Sequence, residues 1–565
     1  MTLLFLLIPV FFLNPIIISN YLKTKNSNYL FSQIFFFIIG TLYTIFINYT
    51  LLVDKTWQAF VVWVVPPFVI CSIIYSTIFY KVKDKHKERT PRKSSLFYLL
   101  VLLAALVWIL MTFFYPLFIK QTLAKIPNVK TVSDKLEDTN IEHIPVIPYS
   151  TAKYKGDKVL GMIENYSLYT IGDYHIQKVG SELCWIAPVE FNGYFSYKKA
   201  GTVNYYIKVS AEYDKPAELV KTEAKYTPSA WFGNNLQRMV RQKYPNILIM
   251  DASLELDDSG KAYYAVSYGH YAKFRNAKVV DGVILFDPAT GDMKKYSKND
   301  APSFVDQITP DDVAEDYNEW YGKYRLGLMN YIFTKQDVHV PTKWGGDQEV
   351  AGVFTNDDAF YYSTDHTNLD EKSTTMVGYS MMSGRTGQFL YYSSVKGLNG
   401  KAALSIVEKT FQKEQWKGEQ PVLYSIYGAN TWIIPVIDSN GVYRELALVN
   451  AETGKVAHAQ TKQEVFEAYR VLLATADQGN AVPTNENLLK TISGKVLRVV
   501  NLQTNDGNIQ RLLLEGNNRI FSINIDTMPY AAFTKEGDTV ELKYVDTNDS
   551  INVVKEVKNL NLPVK

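Results

Sequence analysis

Four stretches without a single charged residue fill most of the first 119 positions, and they constrain the fold more than anything else in the chain. They are residues 3–19 (LLFLLIPVFFLNPIIIS), 26–53, 56–80 and 94–119. A membrane-crossing helix needs about 20 predominantly apolar residues. Charge-free runs of this length rarely occur as core helices of soluble proteins. Four transmembrane helices are therefore expected in residues 1–120. The first stretch has no basic residue before it and no small-x-small cleavage pattern, so it reads as a retained span rather than a signal peptide. Pro9 and Pro15 would kink it, which membrane helices tolerate.

Orientation follows from Lys and Arg. The loop at 81–93 (KVKDKHKERTPRK) holds seven basic and two acidic residues, and Lys23 and Lys25 lie on its side. The other side has Lys55, Lys120, Lys125 and Lys130. This places the 81–93 loop in the cytoplasm, with the N-terminus and everything after residue 120 outside. Asn14, Asn48 and Thr112 are the main non-apolar groups in the spans, with no ionisable side chain mid-span. That speaks against a proton or ion pathway.

Charge divides the same way. Residues 1–96 carry ten Lys or Arg and three Asp or Glu; the remainder carries 49 and 54. A mildly acidic remainder argues against a nucleic-acid partner. The two cysteines, Cys71 and Cys184, fall on different sides of the membrane, so no internal disulfide is expected. An exported region without disulfides suits a bacterial cell envelope better than a eukaryotic secretory route. Cys184, in ELCWIAPV, reads as a small buried hydrophobe.

The exported part is rich in Tyr, Val, Ile and Phe in alternation, and the chain has 40 Tyr. Such residues suit half-buried sheet. Asn192-Gly193, Ser259-Gly260 and Asn440-Gly441 mark turns between strands. Helices are expected over 228–243, from Thr309-Pro310 to about residue 333, over 401–414, and from the capping box of Thr461 and Glu464. The fold class is α+β. The expected organisation is 1–120 transmembrane, 121–155 connector, 156–226 a β-rich unit, 227–335 a helix-plus-sheet unit, and 336–476 a β-rich unit with a second helix-plus-sheet unit. A linker follows at 477–489, then an OB-like β-barrel at 490–565. That barrel has five strand-like runs and a turn insert, MPYAAFTKEGD.

Internal echoes are the most informative soluble feature. GVILFDPATGDMKKY (282–296), GYSMMSGRTGQFLYY (378–392) and LALVNAETGKVAH (446–458) each place Thr-Gly in a turn between two runs. The glycines are Gly291, Gly387 and Gly454, and glycine accepts the positive φ of a tight turn. Trp185-Ile-Ala-Pro188 echoes Trp432-Ile-Ile-Pro435. A helix, then antiparallel strands, then Asp/Asn-x-x-Thr-Gly-x resembles the PepSY module. The better matches are helix 228–243 with strands 246–256 and 261–268 and Asp287–Asp292, and helix 401–414 with strands 422–427 and 431–437 and Asn450–Lys455. Residues 269–279 make a longer spacer than that module would have. The resemblance implies an extracytoplasmic binding or inhibitory module.

Catalytic signatures are missing. The seven histidines (His86, His143, His175, His270, His339, His366, His458) show no metal-helix spacing. There is no G-x-S-x-G, P-loop or Rossmann fingerprint. Asp257-Asp258 reads as turn chemistry, Asp311-Asp312 as a helix start and Asp357-Asp358 as a loop. No catalytic, cofactor-binding or metal residue is assigned, and no cofactor is expected. The reading is a non-enzymatic, membrane-anchored binding, scaffold or regulatory protein. Its expected partners are the lipid bilayer and an envelope or membrane protein, with a homo-oligomer left open. Two alternatives stay open: an envelope hydrolase with a site between repeats, and a subunit of a transport or secretion complex.

Overall fold

The structure is a computed structural model that describes residues 1–83, 92–344, 349–370, 372–475, 489–504, 507–546 and 550–562. Most of the basic loop (84–91, including His86) and nearly all of the expected linker (477–488) lie outside the described residues.

Among the described residues, three helices are long and apolar enough to cross a membrane. The first, α4 (Ser27–Ile45), continues through a π turn to Thr50. The second is the first part of α5 (Trp57–Lys83). The third begins in α6 (Arg92–Ile109) and runs through a π turn into α7 (Tyr115–Phe118). Their outward faces are apolar: Phe31 is 68% and Leu102 67% exposed. Lipid suits such faces; water does not.

The stretch expected as the first span is not one helix. It forms α1 (Thr2–Leu6), α2 (Ile8–Phe11) and α3 (Pro15–Thr24). The break has a local cause. Pro15 has no N–H to continue a helix, and Asn14 turns back to cap α3, its Oδ1 accepting from the Ile16 and Ile17 amides. Gln33 of α4 accepts from the Asn14 amide at 3.0 Å, which satisfies the broken backbone internally. Phe5, Ile8, Phe12 and Ile17 are buried against α4 and α5. Gly40 makes room for this packing, since a Cβ there would meet Pro9 and Phe12 at 2.8–2.9 Å.

After α8 (Lys120–Leu123) the chain enters four sheets, antiparallel apart from one edge pairing, each with a helix ahead of its central strands. Helix α9 (Tyr149–Leu160) precedes a sheet in which Tyr169–Ile171 and His175–Val179 share the long strand Glu182–Phe191, followed by Val203–Ser210 and Glu218–Ala224. A short helix, α10 (Tyr194–Ala200), interrupts it. Helix α11 (Leu236–Lys243) precedes the meander Leu248–Leu256, Ala262–Ala272, Ala277–Phe286, Met293–Ser297. Helix α12 (Asp311–Tyr324) precedes the sheet centred on Phe360–Thr367 and Thr375–Ser383. Helix α13 (Gly400–Thr410) precedes the one centred on Ala429–Ile437 and Tyr443–Asn450, and α14 (Lys462–Thr475) follows it. Five further strands close a barrel, in the order Leu489–Thr504, Gly507–Leu514, Ile520–Asn524, Ile551–Asn559, Thr539–Val545. It rests on α14, where Lys555 Nζ donates to the Leu473 carbonyl at 2.7 Å.

Several elements differ from expectation, among them the helix expected from Thr309-Pro310 to about residue 333, which ends at Tyr324 and is followed by a separate π turn at Asn330–Thr334. The helix expected from Pro228 starts at Asn235, whose Oδ1 caps the Arg238 amide at 2.9 Å. The Thr227 and Ser229 hydroxyls bond each other instead, and Ser229 bonds Glu190. The stretch expected as connector holds a strand, Lys130–Val132, which pairs in parallel with Leu390–Tyr392.

The three Thr-Gly turns share one hydrogen-bond pattern. The amides of Gly291, Gly387 and Gly454 donate to the carbonyls of Asp287, Ser383 and Asn450 at 2.8–2.9 Å. The side chains of those three residues accept from the amides of Thr290, Thr386 and Thr453. Each glycine has φ between +71° and +81°.

A clamp joins the apolar helices to the sheets. Arg275 donates to both oxygens of Asp54, at 2.8 and 3.0 Å. Arg241 Nε donates to the Leu52 carbonyl at 2.8 Å, and the Lys55 amide to the Pro245 carbonyl at 2.8 Å. Arg275 lies in the tip 273–276, the unexpected spacer, where Lys273, Phe274 and Arg275 all have positive φ. Asp54 is 4% exposed, so the ion pair is desolvated.

Candidate functional site

The strand Leu248–Leu256 sorts its side chains by alternation. Leu254 and Leu256 enter an apolar core with α11. Ser253 and Glu255 therefore face the other way, while Asp251 sits in a β-bulge between Ile249 and Ala252. Asp251 lines a cleft of about 360 Å³ with Asp173, His175, Glu190, Ser229 and Gln237. The cleft lies where the first sheet meets the second. Helix α12 lies outside the lining of this cleft, although the charges of Asp251 and His175 reach Asp311 at its start.

Helix α12 starts with Asp311-Asp312, as its sequence suggests, and carries Glu315 and Asp316 one turn on. Burial and like charge act together on these acids. Burial, then the Asp311 charge, pushes Glu315 up to about 7. Burial pushes Asp316 up to about 6, reinforced by Asp312, Glu319 and Glu349 and opposed by Lys278. Further along the strand Leu248–Leu256, burial and then the Asp306 carboxylate hold Glu255 well above the usual carboxylate range. Asp306 is itself pushed up to about 6 by burial. Glu255 is 1% exposed, and its Oε2 has no hydrogen-bond partner.

Cations are fewer. Lys278 pairs with Asp312 and Lys343 with Glu349. Glu190 is held by hydroxyls and an amide: Tyr264 donates at 2.8 Å and the Ser229 amide at 3.1 Å. Burial raises its pKa. Chemically, this region can hold protons near neutral pH and attract a cationic group.

A larger, more open cavity of about 580 Å³ lies beside the first Thr-Gly turn, lined by Lys243, Asp287, Tyr263, Tyr296 and Phe304. Its charges are already engaged, with Lys261 on Asp287 at 2.7 Å and Lys243 on the Met293 carbonyl at 3.0 Å. It is therefore the weaker candidate.

The structure also brings together a buried His–His–Ser network. One Nδ1 of the His339–His366 pair donates to the other at 2.9 Å, and His366 Nε2 reaches Asn318 and Ser380 at 3.0 and 3.3 Å. His366 and Ser380 are 0% and 1% exposed. A nucleophile needs a path to its substrate, so this network reads as structural. Burial pushes His339 down to about 4 and His366 further below its ordinary value.

The remaining titratable residues singled out from sequence are dispersed. His143, His270 and His458 pair with Glu212, Asp281 and Glu445. Asp257 caps its own turn, accepting from the Ser259 and Lys261 amides at 2.9 Å. Asp358 pairs with Lys178. Cys184 is buried, and burial pushes its thiol up to about 12. No group of three metal-ligating side chains occurs among the described residues. Sequence reasoning missed Asp173, Glu190, Asp251, Glu315 and Asp316 because they come from separate segments. The two acids within the strand LIMDASLEL were the available signal.

No protein-family model matches the chain, and no curated protein matches it.

Proposed function

We propose that the chain is a membrane-anchored extracytoplasmic binding protein of a bacterial cell envelope, and that the acid-walled cleft receives a cationic segment of an envelope or membrane protein. The observation that carries this reading is the grouping of Asp173, Glu190 and Asp251 in one cleft whose lining includes no Lys or Arg. A protonated Lys or Arg entering there would relieve like-charge repulsion that burial has already made costly.

In this reading the first apolar segment crosses the membrane as a broken fourth span. Phe5 supports it: its ring lies 4.6 Å from Lys55 Nζ, at the end where the sheets dock, while Lys25 leads into the opposite end of α4. The N-terminus and the sheets are then extracytoplasmic, and the 81–93 loop cytoplasmic. The unit at 227–335 and the one built on α13 are PepSY-like modules, a reading supported by the turn bonds that Gly291 and Gly454 share. The barrel is OB-like, supported by its strand order.

A photo-crosslinking residue at Asp173, on the exposed rim, tests this in native membranes. A discrete protein adduct that disappears when Asp251 and Asp311 are both changed to Asn is expected. An adduct indifferent to those changes would overturn the electrostatic reading.

One observation favours a second reading, an envelope hydrolase. A carboxyl held at about 7, as Glu315 is, suits general acid–base work. Fragment release from labelled envelope polymer, abolished by Glu315→Gln, would establish it in place of the first.

A further inference from the structure

Among the described residues, two exposed apolar patches lie beside the ends of the membrane-crossing helices. The first is aromatic. Tyr194 and Phe195 open α10, and Trp231 and Phe232 precede α11. The Tyr194 ring centroid lies 5.2 Å from Trp231, 5.4 Å from Phe195 and 6.0 Å from Phe232, so the four rings form one cluster. Phe195 is 83% exposed, and Phe232 holds a φ of +55° that non-glycine residues rarely adopt. The second patch follows α12: Leu326, Met329, Ile332 and Phe333, with Phe333 75% exposed.

Water is a poor solvent for such clusters. What covers them is indicated by what they touch. Arg238 donates to the Phe232 carbonyl at 2.8 Å and to the Tyr49 carbonyl at 3.1 Å, and its guanidinium lies 3.7 Å from the Tyr49 ring centroid. Tyr49 is in the last turn of the α4 span. The aromatic cluster is thus one arginine away from the end of a membrane helix. The second patch is tied to another span. Gly327 adjoins Gln121, and Lys120 Nζ lies 4.9 Å from the Tyr324 ring centroid. Lys120 and Gln121 follow directly on the third span, which ends at Phe118. Exposed lysines flank both patches: Lys198 and Lys199 on α10, Lys335 after Phe333. Aromatic rings with flanking lysines are the composition of membrane–water interfaces, where rings settle at headgroup depth and cations meet lipid phosphates.

We propose that both patches insert into the lipid headgroup and upper acyl region of the leaflet on the sheets' side. The bilayer surface is therefore a partner of the sheet region as well as of the spans. This needs only the membrane contact of the apolar helices, and holds whichever partner the cleft takes.

Single-cysteine spin labels test it on the full-length protein in nanodiscs of phosphatidylcholine and phosphatidylglycerol. Both native thiols are buried, so the label reports on the introduced residue. Phe195→Cys and Phe333→Cys are expected to be reached by dissolved oxygen, and to be several-fold less accessible to a water-soluble nickel chelate than Tyr530→Cys, an exposed barrel position. A thermal midpoint equal to that of the parent protein shows that each labelled variant stays folded. Chelate accessibility at either patch equal to that of Tyr530→Cys would overturn the proposal, including the case in which another protein covers the patch in cells.

Discussion

Trp185 and Trp432 make the same hydrogen bond in different sheets. Each Nε1 donates over 2.8 Å to a backbone carbonyl, Ile147 for the first and Leu398 for the second, two residues ahead of the helix that introduces its sheet. The parallel extends to the prolines that follow. The Pro188 carbonyl accepts from Gly172 and the Pro435 carbonyl from Glu419, both at 2.9 Å. In each sheet the donor lies between two short strands that share one long neighbour. Each tryptophan thus pins helix to sheet.

Replacing Trp432 by Phe keeps most of the packing and leaves the Leu398 carbonyl without its donor. The expected loss is about 1–3 kcal/mol, the usual cost of an unsatisfied buried polar group. Trp185→Phe should cost a similar amount, by the same mechanism at Ile147. Thermal unfolding of the two variants in detergent checks this; a loss confined to one would show that the shared bond is not a shared support.

The Asp54–Arg275 pair should behave as a buried ion pair. Asp54→Ala leaves Arg275 without its carboxylate in the clamp, and breaking such a pair typically costs about 3–5 kcal/mol. Replacing both residues together should cost less than either alone suggests. Amide exchange in the tip 273–276 and its flanking strand ends reads the effect directly.

His339 sets a pH dependence of defined sign. Its folded-state pKa is lowered to about 4, against 6.5 for the unfolded chain. The unfolded state therefore binds more protons between those values, and stability is lost as pH falls from about 6.5 towards 4. The shift corresponds to roughly 3 kcal/mol at most. Glu315, Asp316 and Asp306 act oppositely, because their raised values add stability as pH falls. The His339→Gln variant isolates the histidine: the acid-induced drop in thermal midpoint should be shallower than in the parent protein.

Membrane sidedness is testable without any ligand. A carboxyl-terminal tag should be removed by protease added to intact protoplasts, while a tag inserted in the 84–91 loop should survive until the cells are lysed. The reverse pattern would invert the proposed orientation.

Much of this architecture is legible locally. Three long apolar helices, the start of α12 at Asp311 and the positive-φ glycines of the Thr-Gly turns all follow from neighbouring residues. Non-local choices are not. The side chain of Asn14 breaks the first apolar stretch only because it can cap α3 while its amide finds Gln33. Thr227 and Ser229 do not open a helix because Glu190, from another sheet, competes for Ser229. Asn192-Gly193 and Asn440-Gly441 look alike, yet one leads into α10 and the other closes a tight hairpin with Gly441 donating to Asp438 at 3.0 Å. The cleft was hidden for the same reason: its acids converge only after folding.

The clamp at Asp54 has a mechanical consequence. The segment between Thr50 and Trp57 is short and is gripped by Arg241 of α11 and by Arg275 at a hairpin tip of the second sheet, so that sheet cannot pivot freely about a tether. Any tilt or rotation of the α4–α5 hairpin within the bilayer is carried as a rigid lever to the sheet that forms one wall of the acidic cleft.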